Sequence, residues 1–457
     1  MTFFSRSKLA AALLMAAAGG LAAAAEPNTN AHQAEIDQIV REISPQRIQA
    51  YIQKLVSFET RHTMSDTVSD TRGIGAARRW IQAELERCGA ANGGRLAVTL
   101  DSHVHPVMAR LSRPTEIVNV VATLPGAQAE SRDRMYVVSG HYDSRVNDVM
   151  DATTIGPGAN DDASGTAAVM EMACVMSKYK FDATLVFMTV AAEEQGLLGA
   201  EHWAEMAKEK NLNIAGMLNN DIIGSSHADD GRVDANEVRL FAEGVPAKKD
   251  MADDVRRLVS TGGENDSITR QLARHVKEIG ERYVDGFKVN IIYRRDRYLR
   301  GGDHSPFLDR GYAAVRFTEQ NEDFAHQHQT IRVEDKRQYG DTIEFDDFDY
   351  IAKVARVNAA SLASLALAPA APQKVQVKTA KLDNNTDLVW QANTEPDLAG
   401  YRVVWRETTA PQWQNSVYVG NDTHYTSKLS KDNYLFGVEA VDKDGNVSVA
   451  SYPTPVR

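Results

Sequence analysis

Short apolar runs and stretches with helical periodicity alternate through the middle of the chain. The apolar runs predict strands at 117–124, 135–139, 185–190, 217–223, 289–293 and 313–317. Apolar positions spaced three and four residues apart predict helices at 163–177, 197–208, 268–283 and 306–309. Near-continuous apolar strands separated by helices are typical of a sheet that helices cover on both faces. The pattern therefore predicts an α/β domain.

Helices are also predicted on both sides of this region. Ser44 is a good N-cap and Pro45 suits the first helical position, so a helix is expected to begin there and to run to about residue 58. A second helix is predicted over 74–88, ended by Gly89, and a last one over 347–367. Residues 26–34 have the composition of a polar tail.

The composition changes after the last of these helices. Residues 368–372 are rich in Ala and Pro and are predicted to be a linker. Alternating polar and apolar positions then predict short strands at 374–377, 386–390, 400–406 and 434–441, without helical periodicity. Trp390 and Tyr434 are expected in the core of this part. The sequence thus predicts a larger domain over 26–367, which is long enough to be a catalytic domain, and a small all-β sandwich over 373–457.

The first 25 residues have the pattern of a secretory signal peptide. Arg6 and Lys8 precede a short apolar stretch, and small residues lead up to Ala25, after which cleavage fits best. A membrane anchor is the alternative interpretation of this segment. Later segments lack the roughly 18 uninterrupted apolar residues of a membrane helix. We therefore expect a secreted or periplasmic protein with no membrane span in the mature chain.

Charge and cysteine content exclude several classes of function. Lys and Arg number 51 and Asp and Glu 62, a net charge of −11, so no basic excess is available to bind nucleic acid. Cys88 and Cys174 are too few for a disulfide framework or a cysteine-rich zinc site. A single bridge between them is one interpretation, and two buried thiols are the one we favour.

Five short motifs carry the candidate chemistry. They are SGHYD at 139–143, GANDDASG at 158–165, AAEEQG at 191–196, NND at 219–221 and EDFAHQH at 322–328. Each alone is compatible with a structural role, such as an exposed loop or acidic residues at a helix start. Three of them follow predicted strands directly, and ligands bind at the carboxyl ends of strands in open α/β sheets. Two adjacent glutamates at the end of a buried strand also require a cation to neutralise them.

Together these motifs predict a metal site with mixed nitrogen and oxygen ligands. Such ligands without cysteine suit zinc, and a shared carboxylate suits a pair of ions. Asp143 is placed to hold the second ring nitrogen of His141. The chain has neither a GxSxG motif nor a P-loop, so serine hydrolysis and nucleotide hydrolysis lack support.

The order of the motifs resembles that of the di-zinc exopeptidases of metallopeptidase family 28, which include secreted bacterial leucyl aminopeptidases, glutamate carboxypeptidase and glutaminyl cyclases. The resemblance covers about residues 45–367, including GDHSPF at 302–307, and implies a mixed-direction sheet flanked by helices. It also implies a role for each of the following residues: Asp161 as the ligand that bridges two zinc ions, His141 and Asp221 on one ion, Glu194 and a late histidine on the other, and Glu193 as the general base for a water between them. His304 is expected to support the site.

The late histidine departs from the family pattern. The family usually has a Tyr-His-Thr stretch with an Asp four residues after the His, and neither candidate here has that Asp. Thr330 follows His326 by four residues and Arg332 follows His328 by four. We favour His326 as the ligand, with His328 as the alternative.

The C-terminal segment is similar to a fibronectin type III module. The similarity rests on Trp390 in an early strand, on YRVVW at 401–405, and on Leu429 five residues before Tyr434, the spacing of a tyrosine corner. Contact with a polymer or a cell surface is the role that such a module suggests.

The resemblance implies a secreted bacterial zinc aminopeptidase that removes N-terminal residues from peptides. A carboxypeptidase of the same fold is the first alternative, because Arg294, Arg295, Arg297 and Arg300 could bind a free carboxylate, although a solvated loop explains them equally. A cyclase would not need a second complete set of ligands. A non-catalytic binding protein would be expected to lack Glu193 or a ligand, and none is missing.

Overall fold

The computed structural model describes residues 26–246 and 253–457. Its centre is an eight-stranded mixed sheet in the order β1-β2-β4-β3-β5-β8-β6-β7. The strands are β1 (Ala97–His105), β2 (Thr115–Leu124), β3 (Arg134–His141), β4 (Thr184–Val190), β5 (Asn213–Asn220), β6 (Glu237–Ala242), β7 (Lys288–Ile292) and β8 (Ala314–Glu319). The neighbours β4, β3, β5 and β8 run parallel, so their carboxyl ends meet at one edge.

Helices cover both faces of this sheet, as predicted. They are α1 (Ala34–Glu42), α2 (Pro45–Val56), α3 (Gly73–Ala91), α4 (Gly165–Met176), α5 (Leu198–Glu209), α6 (Asp253–Ser260), α7 (Ile268–Tyr283), α8 (Ser305–Asp309) and α9 (Phe348–Leu367). The larger core packs α1 to α4, α7 and α9 on one face, and α5 and α8 form a second core on the other. The Ser44 side chain accepts the N–H of Arg47 and caps α2, as its position in the sequence predicts.

Several elements of the larger domain were not predicted from the sequence. The strand β1 is half exposed along its whole length, so its residues form no continuous apolar run. The helix α1 begins where a polar tail was expected, and it buries only Ile36, Ile39 and Val40. The strand β6 and the helix α6 were also missed.

The cysteines form a disulfide, contrary to the favoured prediction of two free thiols. Cys88 near the end of α3 is bonded to Cys174 on α4, with the Cα atoms 5.1 Å apart. The two helices pack side by side and bring the thiols within bonding distance. Sequence spacing alone could not show this, because 86 positions separate the two cysteines.

The C-terminal residues form the predicted all-β sandwich. Its strands are β11 (Gln373–Lys378), β12 (Thr386–Gln391), β13 (Leu398–Glu407), β14 (Asn415–Gly420), β15 (His424–Ser427), β16 (Tyr434–Asp442) and β17 (Thr454–Val456). The numbers β9 (Arg332–Glu334) and β10 (Arg337–Tyr339) belong to a short hairpin that precedes α9 in the larger domain. One sheet has the order β15-β12-β11-β17 and the other β14-β13-β16. Trp390 is buried in the core between them and Tyr434 packs against it. The strands β14, β15 and β17 were not predicted.

The segment 368–372 joins the two parts closely. Ala368 is buried, and its carbonyl accepts a hydrogen bond from Arg134 of the larger domain. The N–H of Ala370 donates to Glu395 of the sandwich. The segment that composition predicts as a linker is therefore held at both ends.

The predicted signal peptide, residues 1–25, lies outside the described residues. Within 26–246 and 253–457, none of the helices is both long enough and apolar enough to cross a membrane.

Candidate metal centre

The predicted site residues meet at the carboxyl edge of the parallel strands. His141 is the last residue of β3, Asp221 follows β5 directly, and Glu193 and Glu194 lie in the turn after β4. Asp161 comes from a tight turn (Ala159–Ser164) between β3 and α4. Close approach of the backbone makes this placement possible, since a side chain in place of Gly140 would overlap the backbone at Gly165 and Thr166.

Two groups of ligand atoms share this edge. The first contains Asp161, Glu194 and His328, and the second contains His141, Glu193 and Asp221, with all ligand atoms of a group within 4.8 Å of one another. His328 Nε2 lies 2.6 Å from Asp161 Oδ2 and 2.8 Å from Glu194 Oε1. The other oxygen of Asp161 lies 3.1 Å from His141 Nε2. Asp161 thus faces both groups, the position that a bridging ligand requires.

The geometry reverses the preference for His326 over His328. His326 ends a single helical turn (Phe324–His326), and its ring stacks on Phe345 with 3.5 Å between centroids. Its Nδ1 lies 3.3 Å from Asp323. Gln327 is extended and His328 has a positive φ of 53°, which turns the His328 ring towards Asp161. The alternative histidine is therefore the one at the site.

The donors fit a cation. Glu194 Oε1 and His141 Nε2 are buried and have no hydrogen-bond partner among the described residues. Glu194 Oε1 and Asp161 Oδ2 both approach His328 Nε2, at 2.8 and 2.6 Å, so three ligand-type atoms converge on one point. Buried polar atoms are normally satisfied, and atoms that converge in this way are expected of metal ligands. Nitrogen and carboxylate donors without sulfur suit zinc.

Three further carboxylates hold the backbone of the ligand loops. Asp143 accepts the N–H groups of Glu193 and Glu194, at 3.3 and 3.2 Å. It also lies beside His141, whose Nδ1 is 3.2 Å from the Asp143 carbonyl and 3.4 Å from Oδ1. Asp143 therefore positions three candidate site residues, which is a wider role than the one predicted.

The turn that carries Asp161 is fixed from two sides. Asp162 accepts the N–H of His141 at 2.9 Å, and its other oxygen accepts the N–H of Gly165 at 3.0 Å. Asp341 accepts the N–H groups of Asn160 and Asp161, at 2.7 and 2.8 Å. The Asp341 contribution was not predicted, because nothing in its local sequence marks it as part of the site.

Two arginines each hold one of the outer carboxylates. Arg145 Nε donates to Glu194 Oε2 at 2.8 Å, which leaves Oε1 facing the cluster. Arg145 Nη2 also lies 2.6 Å from His328 Nδ1. On the other side, Arg316 is fully buried on β8, and its Nη2 lies 2.8 Å from Asp221 Oδ1. Neither arginine was predicted, although Arg145 lies only two residues after the first motif.

His304 and Asp303 lie behind the second group. His304 is fully buried, and its Nε2 lies 2.9 Å from the carbonyl of Arg295 and 3.6 Å from Asp296, the carboxylate that also pairs with Arg316. His304 thus contacts the residues behind the site, as expected. Asp303 is fully buried, and neither of its oxygens has a hydrogen-bond partner within the described part of the chain.

Electrostatics separate the two adjacent glutamates. Burial raises the pKa of Glu193 well above its usual range, and the carboxylates of Asp221, Glu194 and Asp303 add to this effect. Burial also acts to raise the pKa of Glu194, but His328 and Arg145 beside it lower the pKa overall. A cation in the cluster would favour the ionised form of Glu193. The sequence neighbours therefore have different environments, as separate roles require.

A family model described as peptidase family M28 matches residues 119–360. The chain belongs to peptidase family M28. A probable zinc metalloprotease of Leptosphaeria maculans is 50% identical over 93% of this chain and 98% of its own length. Another from Pyricularia oryzae is 47% identical over 92% of this chain and 85% of its own length.

Solved structures with the same fold include the LapA aminopeptidase of Legionella pneumophila. LapA has a TM-score of 0.51 and 18% identity, covering 74% of this chain and 76% of its own. A glutaminyl cyclase of Macrostomum lignano has a TM-score of 0.50 and 12% identity, covering 74% of this chain and 97% of its own.

These findings support part of the predicted resemblance. They show a zinc metalloprotease of family M28 with the zinc exopeptidase fold. The relatives from Leptosphaeria and Pyricularia are fungal, whereas a bacterial enzyme was expected, and the likeness to the bacterial LapA is one of fold. The fibronectin type III likeness of the C-terminal sandwich stays a prediction.

Proposed function

We propose that this M28 peptidase is an exported zinc aminopeptidase that removes N-terminal residues from peptides. The observation that carries the proposal is the pair of ligand groups around Asp161, with Glu193 between the ligands of the second group. His141, Asp161, Glu194, Asp221 and His328 are the proposed ligands of two zinc ions. A shared carboxylate with a nitrogen and a further oxygen on each side is the donor set of a two-ion site.

Zinc ions held by these residues would polarise the substrate carbonyl and lower the pKa of a water between them. Glu193 lies beside His141 and Asp221 and is half-buried. Its carboxylate is the proposed general base, which accepts the proton of the attacking water and passes it to the leaving amine. Arg145 and Arg316 keep Glu194 and Asp221 in place during this step, since each donates to the carboxylate it faces.

The charges around the site favour a substrate with a free amino group. The four arginines that suggested a carboxypeptidase already have partners. Arg295 pairs with Asp309 and Arg294 stacks on Tyr298. Arg297 pairs with Glu322, and Arg300 lies 3.9 Å from the same carboxylate. Asp303 instead offers a buried carboxyl group that has no hydrogen-bond partner among the described residues, and burial raises its pKa to about 8, so a nearby positive charge is needed to keep it ionised. An ammonium group complements such an acidic environment better than a second carboxylate does.

A cyclase is supported less well than a peptidase. The fold is shared with a glutaminyl cyclase, but the second ligand group of His141 and Asp221 is complete. A reaction that needs a single ion does not explain this second group.

Export is part of the same proposal. The predicted signal peptide ends at Ala25, and the disulfide between Cys88 and Cys174 supports a location outside the cytosol, where disulfides persist. We also propose that the C-terminal sandwich is a fibronectin type III module. Contact with a polymer or a cell surface would then use the faces that do not pack on the larger domain.

The proposal is tested with matched amide substrates. We expect rapid hydrolysis of a leucyl chromogenic amide and very slow hydrolysis of its N-acetyl derivative, because acetylation removes the charge that the acidic site recognises. Faster cleavage of an N-blocked dipeptide with a free carboxylate would instead identify a carboxypeptidase. Conversion of an N-terminal glutaminyl peptide into the pyroglutamyl peptide, with release of ammonia and no cleavage of the peptide bond, would identify a cyclase.

A further inference from the structure

The C-terminal sandwich is attached to the larger domain through a buried group of charges. Asp266, in the loop before α7, accepts hydrogen bonds from Arg406 of β13 at 3.0 and 2.8 Å. Arg274 of α7 lies 3.3 Å from the same carboxylate. All three side chains are at most 4% exposed. The contact therefore excludes water and holds the sandwich in one orientation.

A second set of contacts extends this attachment to Tyr293, the residue after β7. Pro411, in the loop after β13, accepts a hydrogen bond from Arg274 Nε at 2.7 Å. The same carbonyl lies 3.5 Å from the hydroxyl of Tyr293. Arg270 covers the face of the Tyr293 ring, with 4.4 Å from the guanidinium carbon to the centroid. Tyr293 is thus packed between α7 and the sandwich.

Tyr293 begins the segment that supports a proposed zinc ligand. The segment 293–304 leads from β7 to α8, and three residues after Tyr293 it supplies Asp296. Asp296 lies 2.9 Å from Arg316 Nη1, and the carbonyl of Gly301 accepts from the same nitrogen. Arg316 in turn holds Asp221, 2.8 Å away. Contacts on both sides of the short chain stretch from Tyr293 to Asp296 therefore connect the sandwich to Asp221.

We propose that the C-terminal sandwich is a structural part of the catalytic unit, and that its contact with Tyr293 positions segment 293–304 and, through Arg316, Asp221. Tyr293 and Arg406 are then positioning residues, since neither contacts the ligand groups directly. The proposal contrasts with a tethered module that could be removed without effect. It rests on the proposed function only for the role of Asp221, because the ordering of the segment is independent of catalysis.

The test compares two exposed tyrosines of the same segment in the full-length protein. Tyr293 is 40% exposed and contacts the sandwich, whereas Tyr298 is 79% exposed and stacks on Arg294. Tyr293→Ala and Tyr298→Ala remove similar side chains, and neither removes a charge. Amide hydrogen exchange of peptides covering 294–303 reports the order of the segment, and titration of the chelator-treated protein with zinc reports the affinity at Asp221.

We expect Tyr293→Ala to accelerate exchange in 294–303 and to weaken zinc binding at Asp221, by less than the about 10- to 100-fold that is typical for loss of a group in direct contact with a metal ligand. Tyr298→Ala should leave both unchanged. Unchanged exchange in a folded Tyr293→Ala protein would overturn the proposal. Faster exchange with unchanged zinc affinity would overturn the connection to Asp221.

A second pair of variants tests the sandwich side of the contact. Arg406→Gln removes the partner of Asp266 that comes from the sandwich, whereas Arg402→Gln removes contacts with Thr29 and Glu439 away from Tyr293. We expect faster exchange in 294–303 for Arg406→Gln and unchanged exchange for Arg402→Gln. Equal effects of the two variants would contradict a specific effect of the sandwich through Tyr293. If Arg406→Gln does not fold, the tyrosine pair decides the question. A protein that shows these exchange differences but hydrolyses no aminoacyl amide would refute the proposed function and leave the positioning of the segment supported.

Discussion

His328 Nε2 and Asp161 Oδ2 lie 2.6 Å apart at the carboxyl edge of the sheet. Glu194 Oε1 is 2.8 Å from the same nitrogen, so three side chains from distant parts of the sequence converge on one point. His326, only two residues earlier, stacks on Phe345 instead. This difference leads to the first prediction.

Replacing His328 with Ala should remove zinc affinity and turnover, whereas His326→Ala should retain both. His328 is a proposed ligand, and His326 contributes a ring stack and a partly exposed contact with Asp323. Zinc content and leucyl-amide hydrolysis of the two variants, measured under the same zinc concentration, check this. Loss of zinc in His326→Ala with retention in His328→Ala would show that the ligand loop adopts another conformation.

Glu193→Gln should abolish turnover while the zinc content is retained. Glutamine keeps the size of the side chain but cannot accept the proton of the water, and a general base typically contributes about 10²- to 10⁴-fold to the rate. Glu194→Gln should lower zinc affinity itself, because one ligand charge is lost. Parallel measurement of kcat and zinc stoichiometry distinguishes the two residues, and the opposite pattern would exchange their assignments.

Removing the disulfide should destabilise the protein without changing the chemistry of the site. Cys88 and Cys174 join α3 to α4 across 86 positions, and a bridge of this kind typically contributes about 2–5 kcal/mol. The double variant Cys88→Ala, Cys174→Ala should unfold at lower denaturant concentration and have the wild-type kcat at 25 °C. A large fall in kcat of the folded variant would mean that the α3–α4 contact also positions the catalytic residues.

His275 should make the protein less stable as the pH falls below about 6.5. Burial lowers the pKa of this α7 residue to about 3, while the unfolded chain titrates near 6.5, so the unfolded state binds the additional proton between these values. Stability from this group is therefore present above pH 6.5 and is lost as the pH falls towards 3, by about 1 to 2 kcal/mol at pH 5.

The thermal midpoint of His275→Gln should therefore depend less on pH between 6.5 and 5 than that of the wild type. Glutamine can still contact Ser364, whose hydroxyl lies 3.2 Å from His275 Nε2. The exposed His424 provides the control, since His424→Gln should leave the wild-type pH dependence in place. If the thermal midpoints of wild type and His275→Gln fall equally with pH, His275 does not cause the loss of stability at acid pH.

Continuous apolar runs predicted the central strands well because those strands are buried on both faces. The strand β4, for example, is buried throughout. The strand β1 is exposed or half-buried throughout, contains polar residues at alternate positions and was missed. The strand β6 was missed for another reason: four of its six residues are buried, but Arg239 interrupts its apolar residues.

The site was predictable where its residues follow strands directly. His141, Glu193, Glu194 and Asp221 lie within three or four residues of a strand end, and strand order brings them together. Arg316 and Asp341 support the site from positions far along the chain, and only the fold shows their contacts. The choice between His326 and His328 depended on the backbone conformation at residue 328, which the sequence does not reveal.

The central claim is that two zinc ions at the Asp161 cluster are required for aminopeptidase activity. Its most direct test is a titration of chelator-treated wild-type protein with zinc, in which bound metal and leucyl-amide turnover are measured on the same samples. We predict no turnover in the metal-free protein and full turnover as the content approaches two zinc ions per chain. Full turnover in protein that carries no transition metal would contradict the account.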